Sequence, residues 1–205
     1  AIGAWRREGL IEAGGFPHDT HAEDADATVA LERRGWKVLY EPAAVAMTEA
    51  PETVRAFLKQ RFRWMYGTLQ VAFKHRGALK DRSAPGVRFI TIPNIIIFQF
   101  LFTLLAPIMD LLLVMTLLVG LREWVLTGGL IVSDSLIKVS VYWAVFQSID
   151  AVLAALAIRL NGERRAWSLF PLIFIQRFCY RQLHYAVAIR TLLAAIKGQF
   201  VGWGK

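Results

Sequence analysis

The stretch Lys59-Gln-Arg-Phe-Arg-Trp-Met65 places Gln60, Arg63 and Trp64 three and four residues apart in a run without helix breakers. Residues at this spacing lie on one face of an α-helix. At about 100° per residue, the apolar side chains gather on the opposite face: Val54, Leu58, Phe62, Met65 and Leu69. The stretch therefore predicts an amphipathic helix that lies on a bilayer and turns its polar face toward a soluble domain.

The residues that follow this helix are strongly apolar. The chain of 205 residues is 56% hydrophobic with a mean hydropathy of +0.42, and its apolar residues concentrate in the second half, which indicates a membrane protein. We expect about three membrane helices, over residues 89–121, 136–158 and 167–196, with an interfacial or re-entrant course as the alternative for the basic third segment. Because the net charge is +8 and the basic residues lie beside these segments, we expect a multi-pass protein of the inner cell membrane with its soluble part in the cytoplasm.

The residues before about position 88 have the pattern of a soluble α/β domain. Two helices, at 4–13 and from about 23 to 34, are each followed by a glycine stop, and Trp36–Tyr40 has the composition of a β-strand. Helix, stop and strand in succession predict an α/β layered domain. Since most domains have roughly 100 to 150 residues, we expect the first part of this domain to precede Ala1.

Composition excludes several other classes of protein. The basic residues are spread beside apolar segments and do not form one soluble basic face, so we expect no nucleic-acid partner. The single cysteine, Cys179, excludes an intrachain disulfide and any multi-cysteine metal site. The spacing of His18, His21 and His75 does not match that of metal ligands, and we interpret them as ordinary loop or helix-end residues.

An acidic cluster lies at the start of the second helix, where Glu23 and Asp24 follow Asp19 and precede Asp26. One interpretation is capping, because carboxylates favour helix N-termini. The other is that Asp24 is a general base, because taking a proton from a sugar hydroxyl needs a carboxylate within hydrogen-bond reach. The residues alone leave both open.

The polar face of the amphipathic helix also has two interpretations. Its charges could contact lipid headgroups, with Trp64 as an interfacial anchor. Alternatively, Gln60, Arg63 and Trp64 bind a sugar diphosphate, since Arg offers a planar fork to phosphate oxygens and the indole a stacking surface to a sugar ring. The position of Trp64 away from the apolar stripe favours this second interpretation.

Both motifs together resemble those of a known family. Ala22-Glu23-Asp24, followed by Gln60-Arg-Phe-Arg63-Trp64, resembles the Thr-Glu-Asp and Gln-x-x-Arg-Trp motifs of processive family-two membrane glycosyltransferases, which include cellulose, chitin-oligosaccharide, hyaluronan and poly-N-acetylglucosamine synthases. Ala22 replaces the usual Thr, which removes a hydroxyl but neither carboxylate.

The resemblance implies a domain organisation for the chain. Residues 1–50 would be the C-terminal part of a GT-A-like, Rossmann-type α/β catalytic domain. Residues 51–88 would be the interfacial helix and a linker, and residues 89–205 the α-helical transmembrane region.

The resemblance also implies an activity, the inverting transfer of a sugar, with UDP-N-acetylglucosamine as the expected donor, to a growing polysaccharide. Asp24 would be the base, with Glu23 beside it, and Gln60, Arg63 and Trp64 would bind the donor diphosphate and the acceptor end. The partners would be a nucleotide-sugar donor, a glycan acceptor and the lipid bilayer. The family's ligands for Mg²⁺ or Mn²⁺ belong upstream, so we expect this chain alone to be inactive.

A non-enzymatic transporter or channel component is the alternative. Its functional groups would be Arg177, Arg181 and the intramembrane aspartates, Asp110 and Asp150. Polar residues within a membrane are costly and therefore functional candidates. In the glycosyltransferase interpretation a cluster at helical spacings would contact the departing glycan: Arg177, Tyr180, Arg181, His184 and Tyr185. The alternative for this cluster is that its side chains extend to the membrane interface or pair with Asp110 or Asp150.

Overall fold

The structure is a computed structural model that describes residues 3–128, 134–162 and 164–198. The α-helices in these ranges are α1 (Arg7–Glu12), α2 (Glu23–Glu32), α3 (Val54–Lys74), α4 (Phe102–Thr127), α5 (Asp134–Asn161), α6 (Leu172–Ile175) and α7 (Tyr180–Ile196). Between them lie two 3-10 helices, Arg76–Lys80 and Arg164–Leu169, and two π-helical segments, Val87–Thr91 and Asn94–Leu101. The parts of the expected transmembrane region at 129–133, 163 and 199–205 lie outside the described residues.

The chain divides into two compact units. The first combines Ala1–Leu104 with Ala186–Lys205, and the second is Leu105–Tyr185. The first unit contains both sequence motifs, so it positions the candidate site.

The glycine stops predicted for the first two helices are confirmed. Gly14 follows α1 with φ of 91° and Gly35 follows α2 with φ of 85°. Both glycines therefore adopt the left-handed conformation that other residues rarely take. The amide of Gly15 donates to the carbonyl of Leu10 at 2.8 Å and so closes the C-terminal end of α1.

The expected Rossmann-type α/β fold is wrong for the described residues, which are mostly helical and contain no strand. Residues 36–40 belong to neither a helix nor a strand. Trp36 instead packs against Gly9 of α1 and donates from its indole nitrogen to Glu12 at 2.9 Å. Strand composition reports a side-chain preference, whereas a strand also needs a neighbouring strand to accept its backbone hydrogen bonds.

The amphipathic helix α3 is the central element of the first unit. Thr53 caps it, since its side chain accepts a hydrogen bond from the amide of Ala56 at 3.1 Å. The apolar stripe predicted for this helix is buried in part against α7, where Phe62 and Tyr66 form a cluster with Val187 and Ala194. Contact between α3 and a bilayer stays a prediction.

A second cluster joins the C-terminal half of α3 to α2 and to the residues that follow α3. Its buried members are Val29, Val71, Ala78, Ala84, Val87 and Ile92. Burying a residue such as Ile92 or Val71 contributes roughly 1.5–3 kcal/mol. The cluster therefore fixes α2 against the end of α3, next to the acidic motif.

Two described helices are long and apolar enough to cross a membrane. The first is continuous over Val87–Thr127, 41 residues, and the second is α5, Asp134–Asn161, 28 residues. One uninterrupted helix through 89–121, with Pro107 inside it, is thus confirmed. The third expected span is divided into shorter helices, the 3-10 helix Arg164–Leu169, α6 and α7, and the total number of spans stays a prediction.

Candidate functional site

The polar face of α3 has two halves along its length. At about 100° per residue, one arc of the helix contains the predicted site residues and then the residues that dock the acidic segment. In chain order, its members are Gln60, Arg63, Trp64, Gly67, Gln70, Lys74 and His75. The predicted ligand-binding residues therefore lie on the first half of this face. The second half of the same face contacts the acidic segment.

Close contact between Gly67 and Ala22 brings the two motifs together. A Cβ atom built on Gly67 would lie 2.8 Å from the backbone nitrogen of Ala22 and 2.9 Å from its Cβ atom. One turn further along α3, the side-chain oxygen of Gln70 accepts a hydrogen bond from the amide of His21 at 3.0 Å. Since an α-helix rises about 1.5 Å per residue, Trp64 lies about 4.5 Å and Gln60 about 10.5 Å from Gly67 along the helix axis.

Glu23 and Asp24 directly follow the docked Ala22 and form the first turn of α2. Glu23 is half-buried and Asp24 is exposed, so the carboxylate of Asp24 is open to a ligand. Its Oδ1 accepts a hydrogen bond from the amide of Ala25 at 2.8 Å, which gives it part of the role expected of a helix-terminal acid. Ala22 occupies the N-cap position, and no side chain caps the helix there.

Trp64 is 47% exposed, and one side of its ring is covered. The guanidinium of Arg61 lies over the indole at 4.8 Å from the ring centroid and over Phe57 at 5.1 Å. Such cation–π contacts contribute about 0.5–1 kcal/mol at exposed sites. A sugar ring that stacks on Trp64 therefore has only the opposite side of the indole to contact.

The first half of α3 is strongly cationic. Its basic residues are Arg55, Lys59, Arg61 and Arg63, and the segment Val54–Arg63 contains no acidic residue. A diphosphate is the type of group that this concentration of cations attracts, and Arg binds it with two parallel hydrogen bonds.

A buried network fixes the acidic segment from its other side. The carboxylate of Asp26, 1% exposed, accepts hydrogen bonds from Thr20 at 2.9 Å, Lys74 at 2.9 Å and His75 at 2.7 Å. Burial alone raises the pKa of Asp26, but these three hydrogen bonds outweigh burial and hold the pKa below its ordinary value. Asp26 is therefore an ionised carboxylate that stabilises the fold and is closed to substrate.

Sequence reasoning missed the residues of this network. It interpreted His75 as an ordinary helix-end residue, whereas His75 is 6% exposed and contacts two side chains of α2, Asp26 and Arg33. The signal available in the sequence was Asp26 and Arg33 seven residues apart on one helix, a spacing that places both on the same face. Arg61 was also missed, although its spacing from Phe57 and Trp64 predicts the ring contacts.

The polar residues of the second unit pair with one another. Arg177 donates to Asp110 at 3.4 Å, and the hydroxyl of Tyr185 donates to the same carboxylate at 2.7 Å. Arg181 forms an ion pair with Asp150. The rings of Tyr180 and His184 contact each other with centroids 4.6 Å apart. Pairing thus satisfies the charges of Arg177 and Arg181, which the transporter hypothesis would use for transport.

Metal-ligating side chains do not come together in the described part of the chain, where no group of three or more His, Cys, Asp and Glu residues could hold an ion. Glu23 and Asp24 are two carboxylates only, and Asp26 uses its oxygens for internal hydrogen bonds. The residues present do not fit a metal centre, and the predicted Mg²⁺ or Mn²⁺ requirement stays a prediction.

Curated relatives match a short part of this chain. Glucomannan 4-beta-mannosyltransferase 2 of Arabidopsis thaliana is 43% identical over 65 residues, which are 32% of this chain and 12% of the relative. Glucomannan 4-beta-mannosyltransferase 9 of the same plant is 40% identical over 65 residues, also 32% and 12%. The probable glucomannan 4-beta-mannosyltransferase 7 of Oryza sativa subsp. japonica is 38% identical over 65 residues, 32% and 11%. The match thus spans about an eighth of these relatives, and no solved structure matches significantly.

A family profile covers far more of the chain than these relatives do. The profile described as glycosyl transferase family group 2 matches residues 3–193, a range that includes the acidic motif, the polar face of α3 and most of the apolar half. The two motifs, 36 residues apart in sequence from Asp24 to Gln60, both lie inside this match, as does the Gly67–Ala22 contact. The chain therefore belongs to glycosyl transferase family group 2.

Proposed function

We propose that this protein transfers a sugar from a nucleotide-sugar donor to a hydroxyl of a glycan acceptor, with Asp24 as the general base. Family membership and the mannosyltransferase relatives support glycosyl transfer. The observation that supports the assignment of residues is the contact between Gly67 and Ala22, the residue before Glu23 and Asp24. Gly67 lies on the same face of α3 as Gln60, Arg63 and Trp64.

The proposed chemistry is a single displacement. The acceptor hydroxyl oxygen bonds to the anomeric carbon of the donor while the bond from that carbon to the phosphate oxygen breaks. The hydroxyl proton passes to the carboxylate of Asp24, and the nucleoside diphosphate leaves with the electron pair of the broken bond. Attack from the side opposite the leaving group inverts the anomeric centre.

The cationic half of α3 supplies the binding of the donor in this proposal. Arg63 offers a planar fork to the diphosphate, and Gln60 offers an amide that can both donate and accept. Trp64 offers the open side of its indole to the acceptor sugar. Because the leaving diphosphate gains negative charge in the transition state, cations on this face lower the barrier as well as binding substrate.

The relatives bear on which sugar is transferred. Their names specify mannosyl transfer to glucomannan, which favours a nucleotide-activated mannose over the UDP-N-acetylglucosamine expected from the sequence motifs. We propose a hexosyl donor and a polysaccharide acceptor, and an assay that offers both donors separately decides between them.

A membrane location completes the proposal. The apolar helices Val87–Thr127 and Asp134–Asn161 would span the bilayer, and the basic residues between Lys74 and Arg88 would lie on the cytoplasmic side with the site. The acceptor would then be elongated at the cytoplasmic surface of the inner membrane.

The test measures release of nucleoside diphosphate by the protein expressed at its natural full length in membranes. We expect Asp24→Asn to reduce turnover at least about a hundredfold, as for loss of a general base, and Trp64→Ala to raise the KM for acceptor. Glu8→Gln, an exposed acid on α1, and Trp124→Ala, an exposed indole on α4, are the matched controls. Wild-type turnover in Asp24→Asn would refute the assignment of the base.

A further inference from the structure

The acidic motif is held on both sides by α3. Ala22, on one side of Glu23 and Asp24, is in contact with Gly67. Asp26, on the other side, is bonded to Lys74 and His75 at the end of α3. Asp24 lies two residues from each of these anchors, so its backbone position depends on both.

The hydrogen-bond partners of His75 determine which of its two ring nitrogens donates. Its Nδ1 lies 3.2 Å from Nη1 of Arg33, and a guanidinium has donors only. Nδ1 must therefore accept, so the proton is on Nε2, which donates to Asp26 at 2.7 Å. His75 thus joins Asp26 of α2 to Arg33, the residue that directly follows α2.

Lys74 and Thr20 extend the same network to the loop before α2. The ammonium group of Lys74 donates to Asp26 at 2.9 Å and to Asp19 at 2.7 Å. The hydroxyl of Thr20, 5% exposed, donates to Asp26 at 2.9 Å. The loop, the first turn of α2 and the last turn of α3 therefore meet at one carboxylate.

We propose that Asp26, Lys74 and His75 are positioning residues that hold Asp24 over the polar face of α3. The inference rests on the proposed function, in which Asp24 is the base. Asp26 is too deeply buried to touch substrate, so it acts through the position of α2. A displacement of about 1 Å at a reacting group can lower a rate about a hundredfold, and loss of this network frees the turn that carries Asp24.

The test separates positioning from general stability by measuring kcat and the donor KM on folded, purified full-length protein. We expect His75→Leu, which keeps the volume and removes both hydrogen bonds, to lower kcat at least about tenfold with the donor KM within about threefold. We expect His75→Gln to restore kcat, because its amide can donate to Asp26 and accept from Arg33. Exposed His18→Leu is the control substitution.

Thr20→Val gives the same readout in a milder variant, because it removes one hydrogen bond and conserves shape. We expect kcat to fall roughly two- to fivefold, the value of one hydrogen bond. Wild-type kcat in both His75→Leu and Thr20→Val would overturn the inference, as would equal losses in His75→Gln and His75→Leu. Loss of activity in Asp24→Asn together with normal kcat in Thr20→Val and His75→Leu would refute positioning and leave the proposed base intact.

Discussion

Replacing Gly67 by Ala tests the contact that joins the two motifs. The added methyl would lie 2.8 Å from the backbone nitrogen of Ala22 and 2.9 Å from the carbonyl carbon of His21, whereas ordinary contacts are 3.4–4 Å. Two of the three nearest atoms belong to the backbone and cannot rotate away. The segment before α2 must therefore move off α3 by about 0.5 Å or more.

Two opposing free energies set the effect of this substitution on stability. Overpacking costs about 1–3 kcal/mol, and replacing Gly by Ala within a helix returns about 0.5–1 kcal/mol. The free energy of unfolding should therefore fall by about 0–2.5 kcal/mol. We also expect turnover to fall, by about tenfold. A displacement of about 1 Å at a reacting group can lower a rate about a hundredfold, so a shift of about 0.5 Å that reaches Asp24 should lower it by about the square root of that factor.

Gly86→Ala is the matched control, since Gly86 is also helical and nothing lies within 4 Å of its added Cβ atom. We expect this variant to be stabilised by about 0.5–1 kcal/mol with unchanged turnover. Thermal unfolding of purified protein and nucleoside diphosphate release measure the two quantities. If Gly67→Ala matches Gly86→Ala in both quantities, the Gly67–Ala22 contact does not position the acidic motif.

Three further predictions concern charge. The folded-state pKa of Asp26 is lowered, so its stabilising contribution is complete above the ordinary Asp pKa of about 4 and is lost as the pH falls through the folded-state value. Tm should therefore fall below about pH 4, and less steeply in Asp26→Asn. Asp110→Ala should destabilise by about 3 kcal/mol because it leaves Arg177 without its carboxylate, whereas exposed Asp134→Ala should cost less than about 1 kcal/mol; equal Tm values would contradict this. Arg61→Met should raise the acceptor KM by up to about fivefold, the equivalent of about 1 kcal/mol. An unchanged KM would show that the contact of Arg61 with the indole does not contribute to acceptor binding.

Local patterns predicted much of the first unit. Glycines mark the ends of α1 and α2 because their backbone conformation there is costly for other residues. The face of α3 with Gln60, Arg63 and Trp64 follows from helical periodicity alone, and its continuation to Gly67 follows from the same count.

Other features depended on partners distant in sequence. The strand predicted at 36–40 was wrong because Trp36 found its contacts on α1 and not in a sheet. His75 lies 49 residues from Asp26, so no local pattern connects them. The interrupted third apolar segment has the composition of a span, but Arg177 and Arg181 bond to carboxylates of other helices, and the backbone there is divided among short helices.

The covered side of Trp64 has a consequence for the linkage that the proposed reaction would form. The two faces of a pyranose present different sets of C–H and O–H groups, and an aromatic surface favours the more apolar one. With Arg61 over one side of the indole, an incoming ring has a single direction of approach. The orientation in which the ring binds would then determine which hydroxyl lies next to the base. In the proposed reaction, the surface of α3 would therefore set the linkage before the chemical step.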